Sequence, residues 1–179
     1  SMSAGVESLG QEKIKEGEKN PAQKKEVAEV VAVAAIKYSI LKQSPGRDII
    51  FDFEKSLSFE GDSGPYLQYA YARARSVLEK ADKEGIEPAA GIFAENSHLE
   101  KILYRFPEIV EKARKEFAPQ NITIYLTQLA SAFNNYYANN QIVSAEDKNS
   151  SQKVALTSTF ASVMENGLTL LGIKAPMKM

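Results

Sequence analysis

The sequence predicts an all-α protein, a bundle of about five helices. Three observations carry this. Apolar residues recur three and four positions apart in separate stretches, the spacing that lines one face of a helix. Proline, glycine or asparagine punctuates the ends of those stretches. A single short run, Asp48-Ile49-Ile50-Phe51-Asp52-Phe53, has strand character, so at most one short extended segment is expected, near residues 48–53.

The elements follow in order. Residues 1–20 are polar, contain Gly5, Gly10 and Gly17, and have almost nothing to bury; a flexible arm is expected there. Ser1-Met2 reads as a remnant of cloning, which leads us to expect a piece of a longer protein. Asn20-Pro21 starts the first helix, with Asn20 as N-cap and the proline where its missing N–H is no loss. Val27, Val30, Val31, Ala34, Ala35, Tyr38 and Leu41 form its apolar stripe, and Ser44-Pro45-Gly46 stops it. The run at 48–53 is then an edge strand or an extended packing segment.

Gly61 to Gly64 forms a turn, and Pro65 opens a second helix that runs to about Lys83. After a loop from Gly85 to Gly91, Ser97-His98-Leu99-Glu100 is a capping box, in which hydroxyl and carboxylate each satisfy an orphan N–H. The third helix buries Ile102, Leu103, Phe106, Ile109, Val110, Ala113 and Phe117, with a break or kink expected at Pro107. Pro119 marks the next break. The fourth helix carries Ile122, Tyr125, Leu126, Leu129, Phe133, Tyr136 and Tyr137 and ends at Asn139-Asn140. A polar stretch from Ser144 to Ser151 leads into the last helix, with Leu156, Phe160, Val163, Met164, Gly167, Leu170 and Leu171 as its stripe. Gly172 suits the position just past its end.

Composition bounds the function. Hydrophobic residues make up 44% and charged residues 25% of 179, the mix of a globular domain. No apolar run is long enough to span a membrane, and no signal-peptide pattern opens the chain. The absence of cysteine excludes disulfides and thiolate metal sites, and fits a reducing compartment such as the cytoplasm. The net charge of −1 argues against a tight, autonomous nucleic-acid binder. It does not argue against a domain that shares a large ligand with other domains.

The stretch Gly64-Pro65-Tyr66-Leu67-Gln68-Tyr69-Ala70-Tyr71-Ala72-Arg73 is unusually rich in aromatic and cationic groups. On a wheel at about 100° per residue, Leu67, Ala70, Ala74, Val77, Leu78 and Ala81 fall on one side and suit close packing. Tyr66, Tyr69, Arg73, Ser76 and Lys80 form a second stripe at the edge of the first; Arg75 points elsewhere. Such a file suits unpaired nucleotides, because bases stack on tyrosine rings and arginine forks onto phosphate or stacks on a base. The structural alternative is a core boundary, where a tyrosine buries its ring and keeps its hydroxyl wet. Spacing alone leaves both open.

The words of that stretch resemble the start of the C-terminal anticodon-binding domain of arginyl-tRNA synthetases, the DALR domain. Ala35-Ile36-Lys37-Tyr38 and Ile50-Phe51-Asp52-Phe53 resemble the segment leading into that domain. Phe133-Asn134-Asn135-Tyr136-Tyr137 is similar to the aromatic motif of its middle helix. Asn166-Gly167-Leu168-Thr169-Leu170-Leu171-Gly172-Ile173, with Pro176 and the terminal Met179, resembles its end. The matches stand in family order over most of residues 34–179.

The resemblance implies a helical bundle, of the type found in class I aminoacyl-tRNA synthetases, that grips the anticodon arm of arginine tRNA. It implies contacts from Tyr66, Tyr69, Arg73, Asn134, Tyr136, Tyr137 and Met179. Gln68 lies in the motif but far from the stripe, and a structural role is expected for it. Residues 1–20 then form an arm, 21–60 a helix and extended segment leading from a catalytic domain, and 61–179 the anticodon-binding domain. The family often has histidine where Asn134 stands, and arginine near the start of the last helix, where this chain has Gln152 and Lys153. Lysine keeps the charge but loses the planar fork.

The resemblance also implies an ATP- and magnesium-dependent, cytoplasmic parent enzyme that charges tRNA with arginine. That chemistry is not expected within these residues: no HIGH-type motif and no Gly-rich phosphate loop occurs, and no Ser-Lys follows Met177-Lys178-Met179 to complete a KMSK-type loop. The lone His98 reads as a solvated helix-end residue, and Asp52, Glu54, Glu60 and Asp62 as a solvated turn rather than a metal site. No cofactor, metal or membrane partner is expected, and a monomer is. The competing reading is a helical protein-interaction module with the same fold that does not bind RNA.

Overall fold

The computed structural model describes residues 21–49, 51–91 and 98–179. Among the described residues there are seven helices: α1 (Pro21–Leu41), α2 (Phe53–Ser56), α3 (Gly64–Lys83), α4 (His98–Tyr104), α5 (Phe106–Glu116), α6 (Gln120–Asn139) and α7 (Ser150–Leu170). None of the described residues forms a strand. The expected caps Asn20 and Ser97 lie outside the described residues.

Helix α3 is the hub. It packs against α1, α6 and α7, while α4 and α5 flank α6 and the single turn α2 lies against α1. Small residues permit this crowding. A Cβ at Gly64 would overlap the Ala34 carbonyl of α1, so only glycine lets the two backbones approach so closely. Ala70 and Ala74 are fully buried beside Leu67. The main core then fills with Tyr38 of α1, Leu126, Leu129 and Phe133 of α6, and Phe160 and Met164 of α7. The rings of Phe133 and Phe160 stack with centroids 3.9 Å apart and planes 8° from parallel. A smaller cluster of Val77, Ala81, Ile142, Val143 and Val154 ties the segment after α6 to the far end of α3.

Most expected stripes are the buried faces, with four corrections. First, the run at 48–53 does not pair as a strand. Asp52 accepts a hydrogen bond from the Lys55 N–H at 3.1 Å and so caps α2. Phe53 packs against Ala32, Ala35 and Leu57, so the apolar character of the run serves packing. Second, the third predicted helix is two, α4 and α5: the break expected at Pro107 is present and falls at Arg105. A continuous helix would set the Pro107 ring against the Leu103 carbonyl and remove one hydrogen bond; Pro107 instead sits in the first turn of α5.

Third, Phe117 is not a core residue. It follows α5 with φ 50°, in the left-handed region, and its side chain is 86% exposed. Ala118 takes the buried place and donates to the Ala113 carbonyl at 2.9 Å. The Phe117 N–H donates to Arg114, so the pair of bonds closes α5 with a Schellman cap, whose left-handed position falls on Phe117 and turns it outward. Fourth, Leu170 is 55% exposed, and Leu168 and Leu171 are the buried residues at the end of α7. The expected stop is present. Gly172 has φ 65°, its N–H donates to Thr169, and the Ile173 N–H donates to Leu168 at 2.9 Å, closing the helix with a Schellman motif. Leu78 is half-buried between the two clusters rather than within one core.

Two outcomes follow for stability. Phe160→Ala removes one ring of the stacked pair and lowers the unfolding free energy by about 3–5 kcal/mol in urea titrations. Phe117→Gly relieves a left-handed side chain that buries almost nothing, and raises stability by about 1 kcal/mol in the same assay. A loss on Phe117→Gly would mean that the exposed ring makes a stabilising contact.

Candidate nucleic-acid interface

Helix α3 begins where Ser63 accepts a hydrogen bond from the Tyr66 N–H at 3.1 Å. From that fixed start, spacings of three and four place Tyr66, Tyr69 and Arg73 on one side, turned toward α6. From α6 come Asn134 and Tyr137, one turn apart. The two sets meet. The Arg73 guanidinium lies 4.7 Å from the centroid of the Tyr69 ring and 5.0 Å from that of Tyr137. A cation held over two π faces gains from both ring quadrupoles.

Asn134 orders the group. Its side-chain oxygen accepts from an Arg73 N–H at 2.6 Å, and its amide nitrogen donates to the Tyr66 hydroxyl at 3.1 Å. One amide thus bridges the two helices and fixes the guanidinium plane. The partners recorded for Arg73 are two rings and one amide, none of them a carboxylate, so its positive charge is not neutralised there. Tyr69 is 37% and Tyr137 41% exposed, so each ring keeps surface for a ligand. On its other side Tyr69 meets Phe59 edge to face, centroids 6.1 Å apart.

A groove of about 480 Å³ opens beside this group, lined by Tyr69, Arg73, Ser76, Lys80, Tyr137, Lys178 and Met179 among others. Four of the five residues of the second stripe of α3, Tyr69, Arg73, Ser76 and Lys80, therefore face one place, and Met179 reaches it; Tyr66 stands behind them, packed against the core and bonded to Asn134. Six of the seven candidate residues are brought together: Tyr66, Tyr69, Arg73, Asn134, Tyr137 and Met179. Tyr136 is not. Its side chain is half-buried against the core and lines a separate cavity of about 870 Å³ with His98, Arg105 and Asn135. Its buried hydroxyl has no hydrogen-bond partner, and burial pushes its pKa up to about 12.

His98 is exposed at the start of α4. The acidic run is divided among structural tasks: Asp52 caps α2, and Asp62 accepts from the buried Tyr38 hydroxyl and from Lys42 at 3.4 Å. Gln68 is buried and bonded to backbone, the structural place expected of it. Sequence reasoning missed Phe59 and Lys178. Phe59 carries no periodic signal, because it stands in a loop. Lys178 reaches the groove only through the path of the tail, where it pairs with Glu79 at 3.1 Å.

Known proteins share this sequence and fold. The family profile of the DALR anticodon binding domain matches residues 67–179. The arginine–tRNA ligase of Thermococcus kodakarensis is 39% identical over 90% of this chain and 27% of its own length. That of Lactobacillus johnsonii is 40% identical over 96% of this chain and 31% of its own. The solved structure of Thermus thermophilus arginyl-tRNA synthetase superimposes with a TM-score of 0.81 and 31% identity, covering 99% of this chain and 31% of that one. The chain thus spans about three tenths of the length of these relatives. Family profile, relatives and fold agree: the chain belongs to the DALR anticodon-binding domain family.

Proposed function

We propose that these residues grip the anticodon loop of arginine tRNA, as one part of a longer arginine–tRNA ligase. The observation that carries the reading is the guanidinium of Arg73 held between the rings of Tyr69 and Tyr137 and aimed by Asn134. The bases of an anticodon loop can be splayed out and stacked, whereas those of a duplex cannot. The exposed surfaces of Tyr69 and Tyr137 receive bases, each stack being worth about 1–3 kcal/mol, while the partly buried Tyr66 supports Asn134 from behind. The free N–H groups of Arg73 donate to a phosphate or a base edge. Met179 closes the groove from the tail, and Asn134 positions Arg73 rather than touching RNA. Tyr136 is left out of the contact set, because it lines a different cavity.

The net charge of −1 limits the strength of this grip. It suits a domain whose ligand is also held elsewhere, so that binding here is helped by effective concentration. We therefore assign the ATP- and magnesium-dependent attachment of arginine, of the class I type, to the rest of the parent protein and no catalytic step to these residues. Residues 21–60 then connect to that remainder and 61–179 hold the RNA. The parent is assigned to the cytoplasm, and the domain acts as a monomer.

A salt titration of binding to an arginine anticodon stem-loop, with a loop of altered anticodon beside it, tests this. Expected are a preference for the arginine loop and an affinity that falls steeply with salt as counterions are released. Tyr69→Ala and Arg73→Ala each weaken binding by about 1–3 kcal/mol while the helical signal stays intact. Equal affinity for both loops leaves only a phosphate grip, and no binding at low salt favours the protein-interaction module.

Tyr136→Phe separates the two faces of α6. It leaves loop binding unchanged and stability within about 0.5 kcal/mol, because the hydroxyl it removes makes no hydrogen bond. The raised pKa gives the sign at alkaline pH. The neutral phenol is favoured in the fold, so that contribution is complete below the unfolded value near 10 and lost as pH rises through about 12. Tyr136→Phe accordingly lessens unfolding between those values in a pH-dependent urea titration.

A further inference from the structure

The tail after α7 crosses the bundle before it reaches the groove, and its path is held at few points. Gly172 presents its carbonyl to the Lys37 ammonium. Beyond Ile173, which is buried, the next anchor is Gln68. Gln68 has a relative exposure of 0%, and its amide nitrogen donates to the Lys174 carbonyl at 2.8 Å. The same nitrogen lies 3.4 Å from the Val30 carbonyl of α1. One side chain of α3 therefore fastens the tail and α1 together. Its buried oxygen has no protein hydrogen-bond partner, so the donor end makes the contacts that join the tail and α1.

Past Lys174 the hold is weaker: Ala175 packs half-buried against the core, and the polar contact is one ion pair. Lys178 pairs with Glu79, an exposed carboxylate that also pairs with Lys83 at 3.0 Å. An exposed, shared ion pair contributes little. The seat of Met179 in the groove thus depends on where Gln68 fixes the tail five residues earlier.

We propose that Gln68 is a positioning residue: by fastening the Lys174 carbonyl it seats the C-terminal tail, so that Met179 forms a wall of the Tyr69–Arg73 groove. Gln68 itself lines no part of that groove. A ligand in the groove gains a preformed apolar wall instead of having to order a free tail, which is the advantage of preorganisation. The seating stands on the contacts above; only its effect on RNA rests on the proposed function.

The methionines of the chain provide the readout. Met179 stands in a groove walled by two tyrosine rings, whereas Met164 is fully buried in the core. In methyl NMR of the 179-residue chain, the Met179 methyl is expected away from its random-coil position. Gln68→Leu, of similar volume but without the donor, returns Met179 to that position and leaves Met164 unmoved. An unchanged Met179 overturns the proposal, and a shift of Met164 together with Met179 makes Gln68 a general core residue instead.

Stem-loop binding provides the second arm. Gln68→Leu weakens it several-fold, removal of residues 177–179 weakens it at least as much, and the two together weaken it no further than the removal alone. Additive losses would overturn the proposal, since Gln68 would then act without the tail. Should the unaltered chain bind no stem-loop, the RNA reading fails, and the Met179 signal still decides the seating.

Discussion

The close contact of α3 with α1, α6 and α7 is the constraint on which the rest depends. It requires small residues along one side of α3: glycine at 64 against the Ala34 carbonyl, and fully buried alanines at 70 and 74. A helix packed so closely cannot roll, because a few degrees of rotation would drive its larger side chains into neighbours at interior density. The direction of every other side chain on α3 is then set. Tyr66, Tyr69 and Arg73 are aimed at α6 because Leu67, Ala70 and Ala74 are aimed at the core.

The aromatic and cationic centre of the site is consequently assembled from two helices, with the tail and Phe59 added at its edge. Asn134 and Tyr137 of α6 lie on the edge of the helix face that buries Leu126, Leu129 and Phe133. The stacked rings of Phe133 and Phe160 hold α6 on α7, and Phe133 also lies 6.4 Å from the ring of Tyr137. Core packing therefore continues into the cation–aromatic group without a flexible joint. Rigidity of this kind lowers the ordering cost of binding, which matters in a domain with so little net charge to attract a polyanion.

How much of this was legible in the sequence depended on the range of the interaction that settles each feature. The two stripes of α3 follow from helical periodicity alone, and the residues of both are where the wheel puts them. The break at Pro107 follows from local stereochemistry, though the proline does not say that two separate helices result. Phe117 matched the apolar period of α5 yet is exposed, because the left-handed cap that ends α5 overrode the pattern. Tyr136 and Tyr137 are adjacent, so they point about 100° apart. Periodicity could not say which one faces Arg73, since that depends on how α6 is rotated against α3. The tail shows no period at all, and its seat follows from a contact between Gln68 and Lys174 that no local signal reports.

Asn134 shows why one polar residue suffices at the centre of such a group. It must accept from Arg73 and donate to Tyr66 at once, and a carboxamide does both in a single fixed orientation. A histidine at this place would also offer one donor and one acceptor, but only in one neutral tautomer. On protonation it becomes a double donor and repels the guanidinium it should hold. With asparagine the residue that bridges the two helices to hold Arg73 carries no ionisable group. The orientation of the guanidinium is then set by packing and amide geometry alone, and remains the same across the pH range in which an imidazole would change its charge.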